Sequence, residues 1–228
     1  AKNLDYLLEN AAIATVGDVM DLEDENRIIV KEGLRRISST QNLGLRALME
    51  CTKLEKDRIR AYHIGFILGP CMNASGRLDT AKRALDLLRT KSKKEADVLA
   101  GDLKALNDSR KEMTEAAVVW AKEQVETGEI RDDRVLVIYL PKCHESLAGI
   151  VAGRVRESYY RPVFVLTDAA EGVKGSGRSI EAYHMFEELS KCKELLTKFG
   201  GHKLAAGLSL KKENIEAFRR MLNENCTL

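Results

Sequence analysis

A chain of 228 residues, 44% of them hydrophobic, can bury one large core or two small ones. Its longest apolar runs are far shorter than the roughly 20 residues that cross a bilayer, and no signal-peptide pattern is present, so we predict no membrane association. Five cysteines without a CxxC pair argue against a zinc ribbon or a disulfide framework, and they favour a reducing, cytoplasmic setting.

The net charge of +2 hides an uneven distribution of basic residues. Residues 53–94 contain 11 Lys or Arg and 4 Asp or Glu, which gives this stretch a local charge of +7. A basic surface of this kind attracts a phosphate backbone. The alternative is a solvated helical face, and charge alone does not decide between the two interpretations.

The first 90 residues show mainly helical periodicity. Apolar residues recur at spacings of three and four, and short turns separate the runs. The predicted helices are Leu4–Ala14, Glu25–Ile37, Leu43–Cys51 and Thr80–Leu88. Gly69-Pro70 and two further glycines predict an irregular segment over Gly65–Gly76.

A single long helix is predicted over Ser92–Glu126, which contains no proline and one glycine. At 1.5 Å per residue it would extend roughly 50 Å, which is too long for a small domain. We therefore expect it to bridge two domains in a two-lobed molecule. The alternative is one half of a coiled-coil dimer, although Arg110 and Gln124 interrupt the apolar seam.

After Gly128 the pattern changes to alternating strands and helices. Arg134–Leu140 and Pro162–Thr167 are β-rich runs, and the helix predicted between them, Ser146–Tyr159, implies a parallel βαβ unit. The further predicted elements are strands over Gly172–Ser179 and Gly207–Leu210 and an amphipathic helix over Asn214–Asn223. The fold class is therefore α/β, with a compact α/β domain at residues 129–228.

Three clusters combine glycines with groups that bind anions. They are Asn73-Ala74-Ser75-Gly76-Arg77, Gly175-Ser176-Gly177-Arg178-Ser179 and Gly200-Gly201-His202. Glycines let a backbone approach a ligand closely, hydroxyls donate to phosphate oxygens, and arginine forks onto a phosphate. A bulged turn or tight backbone packing would explain one cluster alone, but three in one chain favour anion binding.

Asp18 ends a short apolar run that begins at Ala14. A carboxylate at the end of a buried element is a candidate ligand for a hard metal such as magnesium or manganese. The same position also suits a helix cap or a turn, and the residues alone leave both interpretations open.

The clusters belong to a series of motifs that resembles the RecJ-type single-stranded-DNA-specific exonucleases of the DHH phosphoesterase superfamily. Each motif is weak alone, whereas five in family order along nearly the whole chain are specific. The matching stretches are Ala14 to Val19, Leu68 to Arg77, His144 to Arg154, Gly175 to Ile180, and Lys198 to Gly207.

The resemblance implies a three-part organisation. Residues 1–52 would be the C-terminal tail of a DHH domain, residues 53–128 a helical interdomain region with the long connector helix, and residues 129–228 a DHH-associated substrate-binding domain with a mixed sheet. The family's DHH domain holds two divalent ions, manganese or magnesium, and Asp18 matches one of the ligands. Its Asp-x-Asp and Asp-His-His ligands have no counterpart here, so we expect a piece of a longer protein, with no complete catalytic site and no activity by itself.

The resemblance also implies a function and a binding site. The whole protein would be a metal-dependent 5′-to-3′ single-stranded-DNA exonuclease of DNA repair and recombination, a cytoplasmic monomer whose partners are single-stranded DNA and a single-strand-binding protein or a helicase. Arg77 and Arg178 would converge on one 5′ phosphate, Arg178 from a glycine-flanked loop, while His202 would contact DNA or order its loop. The residues that match the 5′-phosphate and DNA-binding motifs are Asn73, Arg77, Ser176, Arg178, Ser179, Gly200, Gly201 and His202.

Two other functions are compatible with the sequence. One is a phosphodiesterase of the same superfamily that acts on short oligonucleotides or cyclic dinucleotides. The other is a non-catalytic module that binds single strands or a replication protein. Because aromatic residues make up only 5% of the chain, we expect contacts to the nucleic-acid backbone to dominate over base stacking.

Overall fold

The structure, a computed structural model, describes residues 7–228. The chain divides into two compact units, Ala1–Arg110 and Lys111–Leu228. Of the first predicted helix, Leu4 to Tyr6 lie outside the described residues. None of the helices between residues 7 and 228 is both long enough and apolar enough to cross a membrane.

The first unit is helical. Its helices are α1 (Leu8–Gly17), α2 (Asp24–Ile37), α3 (Leu43–Cys51), α4 (Ala61–His63), α5 (Gly69–Leu78), α6 (Lys82–Arg89) and the first part of α7 (Lys93–Thr127). Their apolar faces meet in one core, in which Ile37, Leu48, Leu68, Leu87 and Leu103 are fully buried. Helices this short are marginal in isolation, so burial of these aliphatic side chains stabilises the unit.

The prediction of an irregular segment over Gly65–Gly76 is wrong. Helix α4, a π-helical turn (Ile64–Leu68) and α5 follow one another without a break, so the chain is helical throughout residues 61–78. Pro70 is tolerated because it lies in the first turn of α5, directly after the π turn, where the backbone hydrogen-bond register changes.

Helices α3 and α6 approach each other closely at a glycine. Asn42 caps α3 by accepting a hydrogen bond from the Leu45 amide at 3.0 Å, and its side-chain nitrogen donates to the Leu88 carbonyl at 2.9 Å. These bonds hold the N-terminus of α3 against the end of α6. At Gly44 a Cβ atom would fall on the carbonyl oxygen of Leu87, so a larger residue must displace one of the helices.

Helix α7 confirms the predicted long helix to within one residue at each end. Its 35 residues extend about 52 Å at 1.5 Å per residue. Ala96 and Ala100 belong to the core of the first unit, and Ala121 and Val125 to the core of the second. Gly101 is exposed, with no atom within 4 Å of its Cβ position.

In residues 111–228, all of them described, the chain forms a five-stranded mixed sheet with the strand order β1-β2-β3-β5-β4. As predicted, β1 and β2 are parallel and joined by α8, whereas the other neighbours are antiparallel. The elements are β1 (Leu136–Tyr139), α8 (Ala148–Tyr159), β2 (Val163–Asp168), β3 (Val173–Arg178), α9 (Met185–Lys191), β4 (Leu196–His202), β5 (Ala205–Leu210) and α10 (Ile215–Asn225).

Helices cover the two faces of this sheet unequally. On one face, α9 and α10 close a core that includes Phe164, Leu189 and Phe218. On the other face, α8 and the end of α7 pack against β1 and β2, and α8 also packs against β3. This second helical layer leaves part of the sheet open, since Cβ atoms placed on Gly200 of β4 or Gly207 of β5 would meet nothing within 4 Å.

The sequence does not predict β4 or α9. Strand β4 lies at the edge of the sheet, is largely exposed and contains two glycines, so neither strict alternation nor β-propensity marks it. Helix α9 has seven residues, too few for a clear helical period. Gly200 and His202 therefore lie in a strand that was not predicted. Arg178 lies on β3, within the predicted strand Gly172–Ser179, and not in the expected glycine-flanked loop.

Candidate nucleic-acid interface

Three strands of the second unit share one face, which α8 covers only in part, at β3. Residues directly opposite each other in antiparallel strands point to the same side of a sheet. The register places three rows across β3, β5 and β4, and we call these nine residues the open face. The rows are Lys174–Ser209–Lys198, Ser176–Gly207–Gly200 and Arg178–Ala205–His202.

A β-bulge decides which residues of β4 belong to the open face. The register of β4 shifts by one residue between Leu196 and Lys198, which makes Thr197 the extra residue. A one-residue slip turns every later side chain to the opposite side of a sheet. The bulge therefore brings Lys198, Gly200 and His202 to the open face.

The open face is basic, and α8 borders it at β3. Lys174, Arg178, Lys198 and His202 supply its charged or chargeable groups, and none of the nine residues is acidic. The two glycines of the middle row add no side chain between the basic rows. A phosphate chain can therefore approach the sheet backbone while cations lie on either side of it.

Arg178 packs against α8 where two glycines leave room for its side chain. Gly149 and Gly153 are four residues apart and lie on one side of the helix. A Cβ atom on Gly149 would lie 2.8 Å from Nη2 of Arg178, and one on Gly153 would lie 4.0 Å from its Cγ. Nη1 donates to the Gly177 carbonyl at 2.8 Å. The half-buried side chain is thus held in a defined position at one end of the open face.

His202 shows the loop-ordering contact that is one of its two predicted roles. Its Nδ1 accepts a hydrogen bond from the Leu204 amide at 3.3 Å, which orders the turn between β4 and β5. With Nδ1 as an acceptor, the neutral ring carries its proton on Nε2. The exposed imidazole can therefore also donate to a ligand on the open face.

Two predicted binding residues lie elsewhere. Ser179 is fully buried, and its hydroxyl donates to the Tyr183 carbonyl at 2.7 Å, so it offers no donor to the open face. Gly201 pairs with Ala206 and faces the other side of the sheet, where a Cβ atom would crowd against Ala206 and the Ala205 carbonyl. Ser179 thus supports the turn that follows β3, and Gly201 supports the pairing of β4 with β5.

A cavity of about 360 Å³ adjoins the open face. Ser146 and Thr167 line it together with Ser176 and Lys174. Nζ of Lys174 lies 2.7 Å from Oε2 of Glu145, and this hydrogen-bonded ion pair lowers the pKa of the Glu145 carboxyl. The motif that begins at His144 is therefore adjacent to the open face, although the sequence places it far from β3.

Sequence reasoning missed Lys174, Lys198 and Ser209. The signal that could have found the two lysines is the strand period of two, because Lys174 precedes Ser176 by two residues and Lys198 precedes Gly200 by two. That signal applies only where a strand is recognised, and β4 was not.

In the first unit, Asn73 and Arg77 lie on α5, four residues apart. Both are exposed, and residues at this spacing share one side of a helix. Cys71, Ala74 and Ser75 of the same helix are buried. The two predicted binding residues therefore lie on the solvent side of α5.

Asp18 follows the last residue of α1, and its amide donates to the Ala14 carbonyl at 2.9 Å. The carboxylate is exposed and can supply one oxygen ligand to magnesium or manganese. Such ions take about six ligands, and no group of three His, Cys, Asp or Glu side chains that could hold a metal occurs among residues 7–228. The described residues therefore do not form a complete metal site.

Similarity to known proteins covers both units. Residues 132–227 match the DHHA1 domain family. The single-stranded-DNA-specific exonuclease RecJ of Dickeya dadantii is 40% identical over 227 residues, which cover 96% of this chain and 39% of the relative. The chain thus spans about two fifths of the length of that curated relative.

Two solved structures share the fold. RecJ of Thermus thermophilus in complex with Mg²⁺ matches with a TM-score of 0.86 at 34% identity, covering 97% of this chain and 34% of that chain. The Mn²⁺ complex of the same protein matches with a TM-score of 0.86 at 33% identity, covering 97% and 32%. The domain match, the sequence relative and both structures agree: the chain belongs to the RecJ family of the DHH phosphoesterase superfamily, and residues 132–227 are its DHHA1 domain.

Proposed function

We propose that this chain supplies 5′-end and strand binding to a 5′-to-3′ single-stranded-DNA exonuclease of DNA repair and recombination. The observation that carries the proposal is the open face, where basic side chains lie on either side of a glycine row in the DHHA1 domain. The relatives' name, single-stranded-DNA-specific exonuclease, supports single-stranded DNA as the ligand.

The open face suits the backbone of a strand rather than its bases. Arg178 can fork onto a phosphate, Lys198 acts as a point charge beside the Lys174–Glu145 ion pair, and the Ser176 hydroxyl can donate a hydrogen bond. None of the nine residues is aromatic. Contacts of this kind fix the position of a strand without reading its sequence.

The remaining expectations belong to the same proposal. Residues 1–52 are the tail of a DHH domain, residues 53–128 the interdomain region and residues 129–228 the substrate-binding domain. The whole protein works in the cytoplasm as a monomer, with a single-strand-binding protein or a helicase as partner. The cysteine pattern and the family likeness support these assignments.

A binding measurement tests the proposal. The 228-residue chain should bind a 5′-phosphorylated 12-nucleotide oligothymidylate more tightly than the same strand with a 5′ hydroxyl, and more tightly than a blunt duplex. Fluorescence anisotropy at fixed salt suits this comparison, because backbone affinity varies steeply with ionic strength. A preference for dinucleotides over the 12-nucleotide strand would favour the phosphodiesterase alternative. Absence of strand binding would contradict the proposal.

A matched pair of glycine variants tests the packing of Arg178 against α8. Gly149→Ala should weaken binding of the phosphorylated strand about threefold to tenfold, because the new methyl group displaces the guanidinium while the flexible side chain yields. Gly153→Ala adds the same methyl group one turn later, at ordinary contact distance from Arg178, and should bind like the wild type. If the two variants bind the phosphorylated strand with equal affinity, the contact between Gly149 and Arg178 does not contribute to binding.

We further propose that the full-length protein needs manganese or magnesium, two ions in all, with Asp18 as one ligand. The Mg²⁺ and Mn²⁺ complexes of the Thermus protein support a divalent metal. One carboxylate does not hold two ions, so the 228-residue chain should release no nucleotides in the presence of manganese. In a full-length version, Asp18→Ala should remove most of the activity. Robust manganese-dependent release by the 228-residue chain, or an unchanged rate for the full-length variant, would overturn this assignment.

A further inference from the structure

Two aromatic side chains of the first unit are stacked on each other in solvent. Tyr62 and Phe66 have ring centroids 4.9 Å apart and ring planes inclined by 25°. Their exposed fractions are 60% and 69%, although large apolar side chains are normally buried. Ile64 and Leu68 of the same helical segment are fully buried. The segment thus places its aliphatic residues in the core and its aromatic pair outside.

The aromatic pair shares a helical stripe with the predicted binding residues. Residues 61–78 are continuously helical, and Tyr62, Phe66, Asn73 and Arg77 follow one another at intervals of four, seven and four. All four residues are exposed, whereas Ile64, Leu68, Cys71 and Ser75 of the same segment are buried, so the four lie on its solvent side. Eleven residues separate Phe66 from Arg77, or roughly 16 Å at 1.5 Å per residue.

The pair belongs to the basic stretch of the chain. Arg58 and Arg60 are exposed in the residues just before Tyr62, and residues 53–94 as a whole carry a charge of +7. Arg58 forms a surface ion pair with Glu55 at 3.3 Å, a weak contact with which a phosphate can compete. An exposed aromatic surface bordered by cations complements a polyanion with flat apolar rings, which is the chemistry of single-stranded nucleic acid.

We infer that Tyr62 and Phe66 form a platform on which bases of the bound single strand stack. This inference deepens the proposed function and rests on it. Asn73 and Arg77 are predicted ligands of the strand's 5′ end. If they bind it, a distance of roughly 16 Å corresponds to about five nucleotides at a spacing of about 3.4 Å, and to fewer in a more extended strand. The platform therefore contacts bases two to five nucleotides from the end. It accepts any base, because each base has a flat π-face.

The test measures coupling between one aromatic residue and one base. The 228-residue chain and its Phe66→Ala variant are titrated with 5′-phosphorylated 12-nucleotide oligothymidylates, either intact or with a single abasic nucleotide at one of positions 1 to 12. We expect Phe66→Ala to weaken binding of the intact strand about fivefold or more. We also expect one abasic position among the second to fifth to weaken wild-type binding similarly while leaving Phe66→Ala binding unchanged.

Three further variants separate stacking from other effects. Phe66→Trp keeps a flat ring and should retain binding, whereas Phe66→Leu keeps an apolar side chain without a ring and should lose it. Tyr160→Ala is the matched control, since Tyr160 is 75% exposed but lies in the second unit, outside the basic stretch. It should bind like the wild type. Thermal unfolding of each variant should match the wild type, because Phe66 lies outside the core.

Different results would overturn the aromatic platform and the proposed strand binding. If the wild-type chain binds the intact strand but Phe66→Ala and Tyr62→Ala bind it equally well, the platform is wrong and the proposed strand binding stands. If Phe66→Ala weakens binding by the same factor whichever nucleotide is abasic, the ring does not contact a base and the inference is overturned. If the wild-type chain does not bind the strand, both proposals are overturned.

Discussion

Replacing Arg178 with alanine should weaken binding of a 5′-phosphorylated single strand about tenfold or more. A hydrogen bond to a charged group contributes roughly 1.5 to 3 kcal/mol, and each 1.4 kcal/mol corresponds to a factor of about ten in affinity. Arg178 lies at one end of the open face, where its guanidinium packs against Gly149 of α8 and donates to the Gly177 carbonyl. The loss should be much smaller for a strand with a 5′ hydroxyl. Fluorescence anisotropy at fixed salt measures both affinities.

Two variants control this result. Arg178→Lys retains the charge but loses the planar fork, so it should restore binding only in part. Arg220→Ala removes an exposed arginine from α10, which packs on the opposite face of the sheet, and should bind like the wild type. Equal losses for phosphorylated and unphosphorylated strands would show that Arg178 attracts the backbone in general and does not recognise the end.

The second large effect concerns stability. Gly44→Ala should lower the free energy of unfolding by about 3 kcal/mol or more, because the new methyl group falls on the Leu87 carbonyl and forces α3 away from α6. The hydrogen bonds that Asn42 makes to Leu45 and Leu88 would be strained by the same displacement. Urea denaturation followed by circular dichroism measures the change.

Gly101→Ala is the matched control, since Gly101 lies in the middle of α7 with open space around its Cβ position. Alanine there should raise the free energy of unfolding by up to about 1 kcal/mol through its higher helix propensity. Equal stability of Gly44→Ala and the wild type would mean that the contact between α3 and α6 is not as close as described.

The sequence predicts the elements whose local pattern is strong. Helix α7 has a long helical period, and β1 and β2 are rich in β-branched residues. The structure confirms the helix and the parallel pairing of the two strands. The prediction fails over Gly65–Gly76, where glycines and Pro70 indicate a loop but a π turn keeps the segment helical. Buried Leu68 and Cys71 hold that segment to the core, so tertiary packing overrides the local preference.

The binding site is less predictable than the fold. Its residue types are recognisable from the sequence, but their arrangement depends on the bulge at Thr197, which selects the side of the sheet to which β4 directs its residues. Ser179 and Gly201 match the motifs as well as Ser176 and Gly200 do, yet they point away from the open face. A one-residue change in register decides which residues lie on the open face, and residue spacing alone does not reveal that change.

An NMR titration of the 228-residue chain with a 5′-phosphorylated oligothymidylate would show whether the strand binds to the open face. If the open face holds the end of the strand, the amide signals of Gly200 and Gly207 should shift in a saturable manner, while those of Phe218 and Leu222 in α10 stay in place. The shifts should require much higher strand concentrations in Arg178→Ala. If only signals of α10 shift, and those of Gly200 and Gly207 do not move at saturation, the open face does not bind the strand.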